Sequence, residues 1–254
     1  AAGVHNSPIA IAVPGKERPA LVMDMATSVA AFGKVNLAVD MTCTPTGARS
    51  SQWTIHCLLD RVEAVMMPFR YTAQMSVEDA ALQSRLLGVN HKVISIEPIF
   101  DAFMASLAQE FAGTRVDTTE ENLQARCRGV LLMSISNKKG LLVLTTGNKS
   151  EMAVGYSTLY GDMAGGLDVL KDVPKTLVFE LCRYRNSLGP CIPQRVIDRP
   201  PSAELAPDQK DEDSLPPYGM LDGILERYIE RAMSADEIIA DGFPAEIVRD
   251  ILIK

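Results

Sequence analysis

From residue 62 to residue 145 the chain alternates short apolar runs with stretches whose apolar positions recur every three or four residues, the signature of strands and amphipathic helices in turn. Residues 62–69 (VEAVMMPF) are the first apolar run. Residues 76–87 follow, with Ala80, Ala81, Leu82, Leu86 and Leu87 at helical spacing up to Gly88, and Ser76 with Asp79 at the start reads as a capping box. The run 92–98 (KVISIEP) predicts a second strand ending at Pro98, and 99–111 (IFDAFMASLAQEF) returns to helical periodicity. Thr118 and Glu121 predict the cap of a long helix whose apolar stripe is Leu123, Cys127, Val130, Leu131 and Ile135. Residues 141–144 then supply a strand that delivers Thr146, Gly147 and Asn148 to its carboxyl end, and a helix begins near Lys149. Strand and helix in alternation imply right-handed crossovers. The expected class is therefore α/β, with 62–67, 93–96 and 141–145 in one parallel sheet and helices on both faces.

Beyond Thr176 the pattern predicts a helix to about Arg185, then a proline-rich, charged surface connection over 190–217. Two helical patterns close the chain, 221–231 and 234–240, the second capped by Ser234 and Glu237. Ahead of residue 60 the organisation changes. Residues 20–25 are a strand candidate, 28–39 an interrupted helix candidate with Thr27 or Ser28 at its cap, and 45–52 a surface excursion. The chain thus divides into an atypical N-terminal segment, 1–60, and an α/β domain, 61–254.

Composition narrows the function. The 254 residues are 47% hydrophobic and 22% charged, enough to bury one sizeable core. A net charge of -7 argues against a nucleic-acid surface while leaving local Lys and Arg available for nucleotide phosphates. Five cysteines without a C-x-x-C pair suggest neither a disulfide framework nor a zinc site, and a reducing cytoplasm fits. No stretch approaches 18 uninterrupted apolar residues, and the first residues lack a basic segment ahead of an apolar one, so no membrane association is expected. The three histidines have no metal-ligand spacing, and neither H-E-x-x-H nor G-x-S-x-G occurs.

The candidate chemistry gathers in residues 145–176 (TTGNKSEMAVGYSTLYGDMAGGLDVLKDVPKT). In open α/β sheets nucleotides bind where strand ends meet helix N-termini, because free amides and hydroxyls there face phosphate. Thr146 stands at such a strand end; a turn hydroxyl is the structural alternative. Asn148 and Glu151 have the spacing of a helix cap, while a carboxylate at that point also suits Mg²⁺. Lys175 falls in the first turn of a helix, where the positive helix end disfavours a cation unless an anion lies nearby. Asp162 is either a ligand contact or a turn aspartate bonded to its own backbone. Asn122 and Arg126 share one helical face, and a planar guanidinium binds two oxygens of a carboxylate or phosphate. Ser202 either contacts phosphate or caps a short turn.

These residues, with ENLQARCRG (121–129), MPFRYT (67–72) and RPPSAELAPDQKDEDSLPPY (199–218), closely resemble the ATP-pyrophosphatase domain of glutamine-dependent NAD synthetases over about 61–254. The resemblance implies an adenine nucleotide alpha hydrolase-like (Rossmann-like) fold and amidation of deamido-NAD to NAD through an adenylated intermediate. It assigns Thr146, Lys175 and Ser202 to ATP, Asn122, Arg126, Glu151 and Asp162 to deamido-NAD, and Glu151 also to Mg²⁺. Residues 67–72 would meet adenine. A homodimer is implied, with the helix 119–137 near its interface. In the full glutamine-dependent enzymes an N-terminal nitrilase-like domain with a cysteine nucleophile supplies ammonia; 60 residues cannot hold one, so free ammonia is the expected partner here.

Two departures stand out. The family opens with a Ser-Gly-Gly-x-Asp-Ser loop that cradles pyrophosphate and helps hold Mg²⁺, whereas the only Gly-Gly pair here is Gly165-Gly166. Little ammonia-dependent turnover is therefore expected, and a catalytically degenerate nucleotide-binding protein is the alternative. Residues 6–35 (NSPIAIAVPGKERPALVMDMATSVAAFGKV) instead resemble a fragment of the malate/L-lactate dehydrogenase family, with Ser7 interrupting its Asn-Pro pair. That fragment lacks the family's catalytic histidine, and a dehydrogenase-related oxidoreductase is the remaining, weaker alternative.

Overall fold

A computed structural model describes residues 62–163 and 165–254 in full and, ahead of them, the backbone of three strands. These are β1 (Ala20–Asp24), β2 (Asn36–Pro45) and β3 (Trp53–Leu58). The domain continues as β4 (Glu63–Met66), α1 (Gln74–Leu87), β5 (Asn90–Val93), α2 (Glu97–Leu107), α3 (Thr118–Lys139), β6 (Leu144–Thr145), α4 (Lys149–Ala153) and β7 (Leu167–Asp168). Helices α5 (Lys175–Ser187), α6 (Gln194–Asp198), α7 (Tyr218–Leu225), α8 (Ala235–Ala240) and α9 (Ala245–Ile253) complete it.

The alternation read from the sequence is present, and β4 pairs parallel to β5 as a strand-helix-strand unit requires. Burial explains why β4 sits centrally. Its successive side chains point to opposite faces. Ala64 and Met66 pack with Ala80 of α1, Val178 of α5 and Val196 of α6, whereas Val65 and Met67 pack with Phe100 of α2 and Cys127 and Leu132 of α3. Helices therefore cover both faces. A third cluster joins Val154 to α7, α8 and α9 through Tyr218, Leu221, Ile238 and Val248. No described helix is long and apolar enough to cross a membrane.

The expected single parallel sheet is corrected in two respects. The strand at 141–145 shortens to β6 and, among the described strands, bonds in parallel to β7 alone, apart from the β4–β5 sheet. Gly165 and Gly166 turn the chain back beside Val143, whose carbonyl accepts from the amides of Gly166 and Leu167 at 2.8 and 3.2 Å. The other edge of β4 is taken by β2, which runs antiparallel to it at Asn36 and Leu37 and also pairs with β1 and β3. Residues 36–39, expected to end a helix, are thus extended; the β-branched and threonine-rich run they open, 36–45, suits a strand. The strand candidate at 20–25 is β1, while 28–35, the excursion 46–52 and most of the dehydrogenase-like fragment lie outside the described residues.

Local capping differs in detail. Ser234 and Glu237 form the expected box on α8. The box on α3 lies one residue earlier, Asp117 with Glu120, instead of Thr118 with Glu121. Helix α1 begins at Gln74, two residues before Ser76, which leaves Ser76 and Asp79 inside the helix and free for long-range partners. The connection 190–217 holds α6 and a short 3-10 turn at Asp211–Asp213, and α9 is a helix the pattern did not announce.

Candidate functional site

At the carboxyl end of β6, Thr145 and Thr146 are buried and Asn148 caps α4, its Oδ1 accepting from the Glu151 amide at 3.0 Å. The cap turns Glu151 inward, and α5 brings Lys175 to meet it. Lys175 Nζ donates to Glu151 Oε1 at 2.6 Å, with Lys175 fully buried and the Glu151 side chain 9% exposed. Asp211 Oδ2 lies 3.9 Å from the same ammonium, and the Tyr218 ring centroid 4.9 Å from it. Two tyrosines hold Asp211: Tyr218 Oη donates at 2.7 Å and Tyr156 Oη at 3.3 Å.

Burial pushes the Glu151 carboxyl up from its ordinary value, against the pull of Lys175 and Asn148; the nearby Asp211 adds to the rise. Both phenols are also pushed up, chiefly by burial and then by the carboxylates beside them. They remain hydrogen-bond donors at neutral pH. The result is a cation enclosed by two carboxylates and an aromatic face, beneath a strand end lined with hydroxyls. The anion that a lysine in a helix's first turn calls for is supplied here by those carboxylates.

The amino end of α5 has no cap of its own, since Pro174 carries no side-chain acceptor. Asp222 of α7 supplies one. Its Oδ2 accepts from the Thr176 amide at 2.9 Å and from Thr176 Oγ1 at 2.7 Å, while Ser150 Oγ donates to Oδ1 and accepts from the Lys175 amide at 2.8 Å. Helices α4, α5 and α7 are thereby locked around the Glu151–Lys175 pair.

Asn122, Arg126 and Asp162 form a second group around α3. Asn122 Oδ1 accepts from Thr158 Oγ1 at 2.7 Å, and exposed Arg126 donates from Nε to the Leu159 carbonyl at 3.2 Å. The loop carrying Asp162 approaches so closely that a Cβ on Gly129 would stand 2.6 Å from the Gly161 carbonyl oxygen. Beside it, Arg128 is fully buried, donates from Nε to the Met67 carbonyl at 3.1 Å and feels the charges of Asp162 and Glu204. Burial pulls its guanidinium down to about 10.

Ser202 belongs to a third group. Its hydroxyl donates to the Gln209 carbonyl and accepts from the Glu204 amide at 3.1 Å, the turn-capping role that was its structural alternative. The loop 67–72 is fixed by Thr72, whose Oγ1 accepts from the Phe69 amide at 3.0 Å, and by Arg70, paired with Glu97 at 2.5 Å and Asp101 at 2.8 Å. Asp211 links this third group to the first.

Sequence reasoning passed over Asp211, Tyr156, Tyr218, Asp222, Arg128 and Asp168. Asp168 ends β7 beside Gly147, where a Cβ would lie 2.9 Å from its Oδ2. Burial raises its carboxyl to about 6. Asp211 stood in a charged, proline-rich run that reads as solvated connection; a tyrosine following Pro216-Pro217 was the one local hint of a buried surface there.

Among the described residues no three His, Cys, Asp or Glu side chains form a metal-holding group. Mg²⁺, however, is ordinarily held by one or two carboxylates together with substrate phosphates and water, and Glu151 fits that donor set.

Comparison with known proteins identifies the family. The family model "NAD synthase" matches residues 50–253. The glutamine-dependent NAD(+) synthetase of Acinetobacter baylyi is 60% identical over 195 residues, 76% of this chain and 36% of that protein. The chain therefore spans about a third of the length of the curated relatives it matches. Among solved structures, a glutamine-dependent NAD+ synthetase from Acinetobacter baumannii in complex with ADP superposes with a TM-score of 0.54 at 54% identity, covering 76% of this chain and 34% of that one. NMN synthetase from Francisella tularensis superposes with a TM-score of 0.59 at 32% identity, over 65% and 66% of the two chains. By its motifs, its fold and these matches, the chain belongs to the NAD synthase family.

Proposed function

We propose that this chain binds ATP and deamido-NAD around the Glu151–Lys175 pair and carries out ATP-dependent amidation of deamido-NAD to NAD, at a turnover held low by its atypical first strand. The buried Lys175–Glu151 contact at a strand end carries this reading. In the first step a nicotinate carboxylate oxygen attacks the α-phosphorus of ATP, and pyrophosphate leaves. Ammonia then attacks the adenylated carbonyl, AMP leaves and a proton is released. Lys175 would turn from its carboxylates to the phosphates and offset their growing charge. Thr146 and Ser202 would hold ATP through their hydroxyls. Asn122, Arg126, Glu151 and Asp162 would hold deamido-NAD. Glu151 would also hold Mg²⁺, which when bound neutralises charge on the phosphates.

The sequence contains no Ser-Gly-Gly-x-Asp-Ser cradle, and the edge of β4 is occupied by antiparallel β2. Preorganised donors are each worth about 2.7–4 kcal/mol in a transition state, so losing several suppresses turnover by orders of magnitude while binding survives. In the limit the chain is a nucleotide-binding protein without turnover, the second reading that this absence favours. A homodimer through α3 is also part of the proposal; its Val130 and Met133 are 56% and 38% exposed. The cytoplasm suits its free cysteines, Cys127, Cys182 and Cys191.

The test supplies ATP, Mg²⁺, ammonium and deamido-NAD and follows NAD for the chain and for Glu151→Ala and Lys175→Ala. Slow NAD formation lost in both variants is expected. Robust NAD formation lost in either would contradict the impairment, and NAD formation indifferent to both would contradict the site.

A further inference from the structure

Arg195 of α6 and Arg199, the extended residue that ends that helix, face Ser76 and Asp79, three apart on α1. Arg195 donates to both carboxylate oxygens of Asp79, from Nε at 3.0 Å and from Nη2 at 2.9 Å. Arg199 Nη2 donates to Ser76 Oγ at 2.9 Å, and Ser76 Oγ donates to Glu204 Oε1 at 2.6 Å. Ser76 is fully buried and Glu204 is 9% exposed. A carboxylate this deep needs cationic company, and Arg199 lies 3.5 Å from it, with the field of fully buried Arg128 on the α3 side.

The backbone at Glu204 is itself unusual. Its φ is +51°, a left-handed conformation that a long side chain adopts at a cost and keeps only where its surroundings hold it. Its amide is bound by Ser202 Oγ, and two residues downstream of Ser202 it is one of the points at which the 199–211 loop is anchored to the interior, beside the Leu205 carbonyl, which accepts from Gln124 Nε2 at 2.9 Å, and Asp211, held by its two tyrosines. The same contact reaches α1, the helix entered directly from the 67–72 loop.

We infer that Glu204 is a positioning residue: by joining α1 to the 199–211 loop through Ser76 and Arg199, it sets Ser202 and the 67–72 loop at the spacing that a nucleotide spans. This deepens the ATP reading above and rests on it. A purely structural carboxylate would lower stability without a selective effect on ATP.

The experiment measures ATP affinity by calorimetry in the presence of Mg²⁺ and hydrogen exchange over 199–211, for the unaltered chain, its Glu204→Ala, Glu204→Gln and Ser76→Ala variants, and the combined Ser76→Ala, Glu204→Ala variant. Each variant is first checked for a cooperative thermal transition. Glu204→Ala is expected to weaken ATP about tenfold and to speed exchange in the loop, whereas Glu204→Gln, which still accepts from Ser76, stays within about threefold of wild type. Ser76→Ala, a milder change, is expected to move affinity the same way, and its effect and that of Glu204→Ala are expected to fall short of additive when combined. Folded Glu204→Ala and Ser76→Ala proteins that bind ATP like wild type overturn the positioning role and leave the ATP reading standing. A wild-type chain with no ATP affinity overturns both.

Discussion

Lys175 Nζ and Glu151 Oε1 meet at 2.6 Å, the lysine closed off from solvent and the glutamate nearly so, joining the first turn of α5 to the first turn of α4. Removing two charges from water is costly, and a buried pair repays that cost only with good geometry and further hydrogen bonds. Here Asn148, Asp211 and the two tyrosines supply them. Breaking such a pair from one side leaves an uncompensated buried charge. Lys175→Met, which strands both carboxylates, is expected to lower stability by about 3–5 kcal/mol, Glu151→Gln, which leaves Asp211 3.9 Å from the ammonium, by less, and the double variant to recover part of the loss. Chemical denaturation of the four proteins checks this; additive losses would contradict it.

Asp168 provides a pH signature. Burial raises its folded carboxyl from 3.8 to about 6, helped by Glu151 and Asp172, while the Leu170 amide and Lys171 pull it down. The folded chain therefore binds this proton more tightly than the unfolded chain. Its unfavourable contribution is absent below about pH 4, grows as pH rises through the interval and is complete above about pH 6. Asp168→Asn, which can still accept from Leu170, is expected to melt with wild type at pH 4 and above it at pH 7.5. A difference in Tm that does not change with pH would contradict the assignment.

At Gly129 two effects oppose each other. Alanine in a helix interior is favoured over glycine by about 1 kcal/mol. The added Cβ, however, would meet the Gly161 carbonyl oxygen at 2.6 Å, backbone against backbone, and neither side can rotate away. Overpacking of this kind costs about 1–3 kcal/mol, so steric conflict wins. Gly129→Ala is expected to lower Tm and to speed hydrogen exchange at 158–162; a stabilised variant would show that the loop yields freely.

Legibility followed the range of the interaction. Ser234 and Glu237 were readable because capping is decided within four residues. Ser76 and Asp79 carry the same spacing, yet they serve Glu204, Arg199 and Arg195, more than a hundred positions away, which no local pattern reveals. The strand-helix alternation was visible in periodicity. That β6 leaves the β4–β5 sheet, and that β2 pairs antiparallel with β4, depends on hydrogen-bond partners that periodicity does not name. The Glu151–Lys175 meeting was foreshadowed by a lysine where a helix end disfavours it. The Asp211 carboxylate that shares that lysine lay hidden in a run that composition makes look solvated.

The Glu151→Gln, Lys175→Met double variant separates folding from binding, because it keeps both side-chain volumes while removing the two charges of the pair and leaving only the Asp211 carboxylate. The decisive measurement is the calorimetric titration of ATP with Mg²⁺ into this variant and into the unaltered chain. If the pair is the nucleotide site, the unaltered chain binds ATP and the stably folded double variant binds it about a hundredfold more weakly, the loss of two charge-assisted contacts of about 1.5 kcal/mol each. Equal affinity in the two proteins would place ATP elsewhere and contradict the account.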